Sequence, residues 1–466
     1  LVENSVLSKG VWYKIKVASN GIYKLTYEQI NAMSVGNPAN VRIFGWGGEV
    51  LPEDSRKGEK DDLKPVQIQM VKGSDGIFNS GDYILFYSHG TINWFYDSAT
   101  GMYRHKRNPY TDFSYYFVTS GDSSDLPDTE PIPSGAAVFF STSFDYRTFH
   151  EQEIYNPLLS GKQWFGESFA NTTQQSFSFN IPGIKSTEPI EILTQVMAKS
   201  ISVSEFQLSY NNATIASMLV QAANLSDYTS IFGFTEEKKV QISSASESFS
   251  IKLKYLKPDV SAKGWLDYII VNARANLLMQ SGMLEFRDKN VTGEGNLTQF
   301  TINSAGNSTI VWDVTSQNNI KRIETVLNGS ELTFKVSTDS TREFVAFNEN
   351  GSFPTPVLQG KDVGLISYQN LHGPGQPDMV IIAYADFMDQ AERLAQYRRQ
   401  KSGLDVLLVS PVQIYNEFSS GAPDISAFRN YMKMFYERAG ADSSILPRYL
   451  LLFGDGSYDY KNRIPN

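Results

Sequence analysis

A glycine-containing turn near the end of this sequence, at 454–459 (Gly-Asp-Gly-Ser-Tyr-Asp), carries two carboxylates and a hydroxyl that could serve as ligands or catalytic groups. An unbroken apolar run, 449–453, comes directly before this turn. Such a run is typical of a strand buried on both faces of a parallel sheet, and the loops after such strands form the rims of binding clefts. We therefore predict that Asp455, Ser457 and Asp459 lie at the edge of a cleft.

This turn allows three interpretations. A serine nucleophile elbow needs glycine two residues before and after the serine, and Ser457 has Asp455 and Asp459 there instead. A calcium loop would use the same three residues as alternate oxygen ligands, but Tyr460 stands where the turn glycine belongs, and Lys461 and Arg463 add the wrong charge. The favoured interpretation is structural, with carboxylates that satisfy loop amides, and calcium is left as the alternative.

Other catalytic and metal chemistry has little support in the sequence. There is no cysteine, which excludes a disulfide framework, a thiolate metal site and a cysteine nucleophile within these residues. The histidines are scattered and never paired at helix-face spacing, so we predict no zinc site; they are His89, His105, His150 and His372. No glycine-rich phosphate loop occurs either. The residues by themselves thus predict no catalytic, cofactor-binding or metal-binding side chain.

The charge balance argues against nucleic acid as a partner, because 41 basic and 50 acidic side chains give a net charge of -9. The one basic cluster, 103–107, is predicted to be a solvated loop. Aromatic residues such as Trp46, Trp94 and Trp164 could stack on sugar or peptide, but core packing is favoured. The sequence has no apolar run long enough for a transmembrane segment and no signal pattern at Leu1, so we expect any export signal to have been removed or not included.

The pattern of elements predicts a multidomain, mainly β protein followed by a partial α/β domain. Residues 1–135 read as a small β domain that opens with a hairpin around Asn20-Gly21 and a capping box at Thr26, and it closes with a breaker-rich linker. Residues 136–370 contain many short strands, which predicts a β-sandwich with a jelly-roll-like form. Residues 371–466 alternate strand and helix, which predicts a parallel sheet that needs further strands to cover its edges.

Several segments together resemble the gingipain-type cysteine peptidases, and most closely the sortase of the bacterial type IX secretion system. The C-terminal segments resemble the opening of the family's catalytic domain: 378–387, 390–395, 413–421, 428–436 and 448–459. The β region resembles the long N-terminal portion of that sortase at 12–15, 21–25, 41–45, 81–84, 164–167, 265–268 and 272–274.

The resemblance implies a caspase-like α/β domain in which an imidazole activates a thiolate. It also implies a bacterial cell-surface protein, exported and associated with the outer membrane, that cuts C-terminal signal domains from exported cargo. The cargo would be attached to anionic lipopolysaccharide, and other components of the secretion system would be partners.

The departure from the family pattern is the missing cysteine. In the family, the His-Gly and cysteine segments follow the Gly-Asp-Gly-Ser strand, so we expect them beyond Asn466. No catalytic residue is carried over, and the chain is expected to be inactive alone. Only Asp455 and Asp459 are carried over, as positions at the cleft edge.

A different class of function stays open as the alternative. The two β regions could form a cell-surface protein that binds glycan or a partner protein, with the α/β segment as an appended scaffold.

Overall fold

A computed structural model describes residues 2–57, 60–224, 226 and 229–464. The chain first forms a β unit whose strands are β1 (Trp12–Val17), β2 (Gly21–Thr26), β3 (Val41–Phe44), β4 (Pro65–Val66), β5 (Ile68–Val71), β6 (Tyr83–Ser88), β7 (Ile92–Asp97), β8 (Met102–Arg107) and β9 (Ser114–Ser120). Helix α1 (Tyr27–Ala32) follows β2. It begins at the predicted capping box, because Thr26 Oγ1 accepts a hydrogen bond from the Gln29 amide at 3.3 Å and Gln29 Oε1 accepts one from the Thr26 amide at 2.9 Å.

The predicted hairpin at Asn20-Gly21 is wrong. β1 pairs with β9 and β2 pairs with β6, so the turn carries the chain from one sheet to the sheet packed against it. The apolar faces of the two sheets enclose a core that includes Ile15, Leu25 and Phe86. Burying both strands between two sheets covers more apolar surface than a free two-stranded hairpin could.

The basic cluster at 103–107 is also not a solvated loop. It forms β8, which pairs with β7 in a two-stranded ribbon. The ribbon packs on the next unit, where the His105 ring stacks on Phe149 at 3.8 Å between centroids and Met102 is buried against Leu193. Because successive side chains of β8 point to opposite faces of the ribbon, part of this cluster lies inside the protein.

The next unit is a jelly roll. After β10 (Asp128–Glu130) and β11 (Phe139–Ser141), its strands are β12 (Ser143–Glu151), β13 (Gln174–Asn180), β14 (Ile190–Lys199), β15 (Ser204–Tyr210), β16 (Ala213–Val220), β17 (Phe234–Ile242), β18 (Ser248–Leu256) and β19 (Lys263–Asn276). They form two sheets with the orders β12-β19-β14-β17 and β13-β18-β15-β16. These are the strand orders of two interleaved Greek keys, so the predicted jelly-roll form is confirmed.

A second sandwich is built from strands that come before and after the jelly roll in the sequence. Its earlier strands are β10 and β11. Its later strands are β20 (Met283–Phe286), β21 (Leu297–Ile302), β22 (Thr309–Asp313), β23 (Lys321–Ile323), β24 (Val326–Asn328), β25 (Glu331–Ser337) and β26 (Phe344–Asn348). The sheet orders are β10-β23-β22-β26-β20 and β11-β21-β25-β24. The core between the sheets contains Phe286, Phe300, Phe334 and Phe344. The jelly roll is therefore inserted between β11 and β20, where the sequence suggested one sandwich.

Two strands pair across the domain limits predicted from sequence. β10 lies before residue 136 and pairs in parallel with β23. β27 (Gly364–Ile366) lies before residue 371 and pairs with β1, so the last connector returns to the first unit.

The final unit is the predicted parallel α/β segment. It contains β28 (Met379–Ala383), α2 (Met388–Ser402), β29 (Val406–Val409), α3 (Pro411–Phe418), α4 (Ser426–Ala439) and β30 (Tyr449–Phe453). Both outer strands run parallel to β28, in the order β29-β28-β30. Helix α2 packs on one face through Ala391 and Ala395, and α3 and α4 pack on the other through Phe418 and Tyr431. Short 3-10 helices lie at Val6–Ser8, Pro38–Asn40, Lys289–Val291, Ala385–Phe387 and Ser443–Ile445.

The prediction that 449–453 is buried on both faces is wrong. Leu450 and Leu452 are 48% and 59% exposed. β30 is an edge strand of the described sheet, and α3 and α4 cover the same face only over β28 and β29. Ile382, the partner of Leu452 on the neighbouring strand, is 3% exposed.

Candidate functional site

The candidate site lies at the carboxyl edge of the parallel sheet. The connection through α2 and the connection through α3 and α4 lie on opposite faces of the sheet. From β28 the chain passes first to β29 on one side and then to β30 on the other, so the strand order changes direction between β28 and β30. In open α/β sheets, ligands bind outside the carboxyl ends of the strands at this point. The two strand ends are joined there, because the Tyr384 amide donates to the Phe453 carbonyl at 3.1 Å. An open hollow beside them is lined by Phe387, Gln390, Leu452, Phe453 and Gly454.

The three residues predicted at this edge do not converge on one point. Asp455 is exposed and accepts from the Gly456 amide at 2.7 Å. Ser457 Oγ accepts from the Asp459 amide at 3.0 Å. Asp459 accepts from the Ile464 amide at 2.7 Å and from Arg463 at 3.3 Å, and its side chain is 8% exposed. These are the contacts of side chains that hold a loop together.

Metal coordination would need these oxygens to be free and directed at one centre. Both Asp459 oxygens are already engaged, one by a guanidinium and one by a backbone amide. Within the residues described, no group of three or more His, Asp or Glu side chains is arranged to hold a metal ion.

The packing of the segment after β30 against the jelly roll was not predicted from sequence. Lys461 and Arg463, which argue against a calcium loop, both donate to Glu153. The only sequence signal was a pair of cations close to a carboxylate turn, and it does not say which distant carboxylate they would meet.

A second group missed from sequence joins the first unit to the α/β segment. His372 is 1% exposed; its Nδ1 lies 2.6 Å from Glu417 and its Nε2 lies 2.7 Å from Asp61. Burial opposes the charged imidazole, but the hydrogen bonds to Asp61 and Glu417 prevail and raise the pKa of His372 to about 9. The imidazolium therefore holds two carboxylates from different units together.

A buried lysine lies in the same interface. Lys14 donates to Asn416 Oδ1 at 3.0 Å and to the Gly421 carbonyl at 2.8 Å. Desolvation lowers the pKa of Lys14 to about 7. The Lys14 ammonium also lies 4.4 Å from the centroid of the Tyr115 ring, a contact that favours its charged form.

Two of the three tryptophans considered as glycan platforms are packed inside the protein. Trp46 and Trp164 are 2% and 3% exposed, which confirms core packing for them. Trp94 is half-buried, and Arg147 lies 5.2 Å from its ring centroid.

Comparison with known proteins identifies the class of the last unit. Residues 372–466 match the model of peptidase family C25. The match begins at the buried histidine and covers the parallel sheet with its carboxyl edge, so this unit is similar to the peptidases of family C25.

A comparison with solved structures extends the likeness to the β region. The chain resembles dimeric latent PorU from Porphyromonas gingivalis, with 28% sequence identity, a TM-score of 0.87, and coverage of 99% of this chain and 43% of that one. The chain is PorU-like, which confirms both the resemblance predicted from sequence and the arrangement of β units before a C25 segment. It spans less than half of the PorU chain.

Other comparisons add nothing to this assignment. A carbohydrate-binding module CBM36 in complex with calcium and xylotriose is 15% identical and covers 28% of this chain and 99% of its own, but the TM-score is 0.18. None of the curated proteins compared matches the chain. Of the helices that the structure describes, none is both long and apolar enough to cross a membrane.

Proposed function

We propose that this chain is part of a gingipain-like cysteine endopeptidase that acts as a type IX secretion sortase. The observation that carries the proposal is the likeness to PorU over 99% of the chain, combined with the C25 match of the α/β unit. The substrates would be exported proteins whose C-terminal signal domains are cleaved. The cargo would then be attached to anionic lipopolysaccharide at the bacterial cell surface, with other secretion components as partners.

The catalytic nucleophile and base would lie outside these residues. The 466 residues contain no cysteine, and the carboxyl edge between β28 and β30 carries Tyr384 and Asp455 but no histidine. The four histidines lie elsewhere, and His372 is fully engaged by two carboxylates. The chain alone is therefore expected to lack peptidase activity and to supply one part of the cleft wall.

The test compares two proteins on one substrate, an exported protein that carries its C-terminal signal domain. We expect the 466-residue chain to leave this substrate intact. A longer protein that contains the chain and further peptidase-domain residues is expected to cleave it, and a thiol-alkylating reagent is expected to stop the cleavage. Cleavage by the 466-residue chain itself, unaffected by alkylation, would show the proposal to be wrong.

A further inference from the structure

The segment that follows β30, residues 457–464, turns away from the parallel sheet and packs on the β region. We call its set of contacts the terminal clamp, defined by Tyr458, Lys461 and Arg463 on the segment and by Asp112, Glu153 and Trp164 on the β region. Glu153 and Trp164 lie in the connection between β12 and β13, so the jelly roll provides the main part of the surface.

Glu153 is the anion at the centre of the clamp. Its carboxylate accepts from Lys461 Nζ at 2.9 Å and from Arg463 at 2.6 Å, and the Arg107 guanidinium lies 3.9 Å away. The Glu153 side chain is 9% exposed and the Lys461 side chain 5%. Cations that are this buried depend on their partners, because water no longer solvates them. Asp112 also accepts from Lys461, at 2.7 Å, but its side chain is 57% exposed.

Aromatic contacts fix the direction of the segment. The Arg463 guanidinium lies 4.3 Å from the centroid of the Trp164 ring, and the Tyr458 ring stacks on the same indole at 6.3 Å. Tyr460 meets Tyr110 edge to face at 4.9 Å. The segment is thus held through side chains on both sides of Lys461.

Arg463 connects the clamp to the candidate site. It donates to Glu153 on the jelly roll and to Asp459 at the rim, and Asp459 also accepts from the Ile464 amide. We propose that Glu153 is a positioning residue for the rim of the candidate site and that the jelly roll sets the conformation of residues 457–464 through it. The link to catalysis rests on the proposed peptidase function; the conformational link does not.

Backbone amide hydrogen exchange of the 466-residue chain tests the conformational link. In the Glu153→Gln variant, the amides of residues 457–464 are expected to exchange at least tenfold faster, while those of β28 and of the jelly-roll strands stay unchanged. The matched control is Glu167→Gln, which removes a carboxylate of the same connection that contacts His150 at 2.6 Å and lies outside the clamp. Unchanged exchange in 457–464, or equal acceleration in the control, would overturn the proposal.

A variant on the other side of the clamp covers the case in which Glu153→Gln disturbs the jelly roll. Arg463→Gln leaves the jelly roll sequence intact and removes the same contact. It is expected to accelerate exchange in the same segment, and protection retained there would overturn the proposal.

Cleavage kinetics distinguish the positioning role of Glu153 from the proposed peptidase function. In a longer protein with thiol-dependent cleavage, Glu153→Gln is expected to lower kcat at least fivefold while KM changes less than twofold. The substitution would shift the rim of the cleft but would remove no residue that binds substrate. An unchanged kcat with a loosened segment would refute the positioning role and leave the peptidase function standing. Absence of any thiol-dependent cleavage would refute the peptidase function, while the exchange result would still decide the clamp.

Discussion

His372 lies between two carboxylates that come from different units of the protein. Asp61 belongs to the first β unit and Glu417 to helix α3, and the imidazole stacks on Phe418 at 4.7 Å between centroids. Glu417 is fully buried and also accepts from the Leu371 amide at 2.9 Å. A charged imidazole here compensates carboxylates that would otherwise be costly to bury.

The first prediction concerns the pH dependence of stability. Because the pKa of His372 in the folded protein is about 9, above its ordinary value of 6.5, its stabilising contribution is complete below pH 6.5 and is lost as pH rises through 9. Between pH 7 and pH 9.5, the difference in unfolding free energy between the native chain and His372→Gln should shrink by about 2 kcal/mol. Urea unfolding at each pH measures it.

The control for this experiment is the other strongly shifted histidine. Burial lowers the pKa of His89 to about 4, so this imidazole is neutral across the same range of pH. His89→Gln should therefore lower stability by an amount that does not change between pH 7 and pH 9.5. A His372→Gln difference that is equally flat would contradict the prediction.

The edge strand β30 differs in burial from β28, although both strands are apolar. Ile382 and Leu452 are register partners on the same face of the sheet, yet α3 and α4 cover only the first. Apolar surface stabilises the fold only where folding removes it from water. Two side chains of similar size and chemistry thus contribute differently to the stability of the fold, because only one of them is covered by neighbouring helices.

The second prediction compares alanine substitutions at this matched pair. Ile382→Ala is expected to lower the unfolding free energy by about 2 to 4 kcal/mol, because it leaves a cavity in the core. Leu452→Ala is expected to change it by less than about 0.5 kcal/mol in this chain, because its side chain is already solvated. Equal losses from the two substitutions in urea unfolding would contradict the described coverage of β30.

Local patterns predicted much of the architecture. Phe177 and Phe179 alternate with serines in the half-buried strand β13, and Ala391 and Ala395 lie at helical spacing on the buried side of α2. Such patterns can be read from the sequence, because each depends only on one element and the solvent beside it. The burial of β30 could not be predicted, since an apolar run does not say whether a partner covers it. The terminal clamp and the contacts of His372 with Asp61 and Glu417 could not be predicted either, because the partners lie far apart in the sequence.

The α/β segment contacts the β region at several separate places. β27 pairs with β1, Lys14 donates to the Gly421 carbonyl, and Arg429 donates to the Pro52 carbonyl at 2.8 Å. The terminal clamp adds a further connection through the jelly roll. The covalent connector between β26 and β27 therefore adds little to an association that these contacts already stabilise.

The third prediction follows from this arrangement. A specific protease site inserted after Gly360, in the connector, should be cut without separating the two fragments. The fragments are expected to elute together in size-exclusion chromatography in native buffer and to separate in denaturant. Separate elution in native buffer would show that the connector, rather than the interface, holds the units together.

The insertion of the jelly roll affects the order in which the chain can fold. Ser143 and Asn276, at the two ends of the insert, are paired neighbours in one sheet. Until the insert folds, β11 and its partner β21 are separated by a long flexible loop whose closure costs entropy. Once the insert has folded, its adjacent ends bring β11 and β20 close together and most of that entropy has already been lost. Folding of the jelly roll thus reduces the loop-closure entropy that the second sandwich loses when it folds.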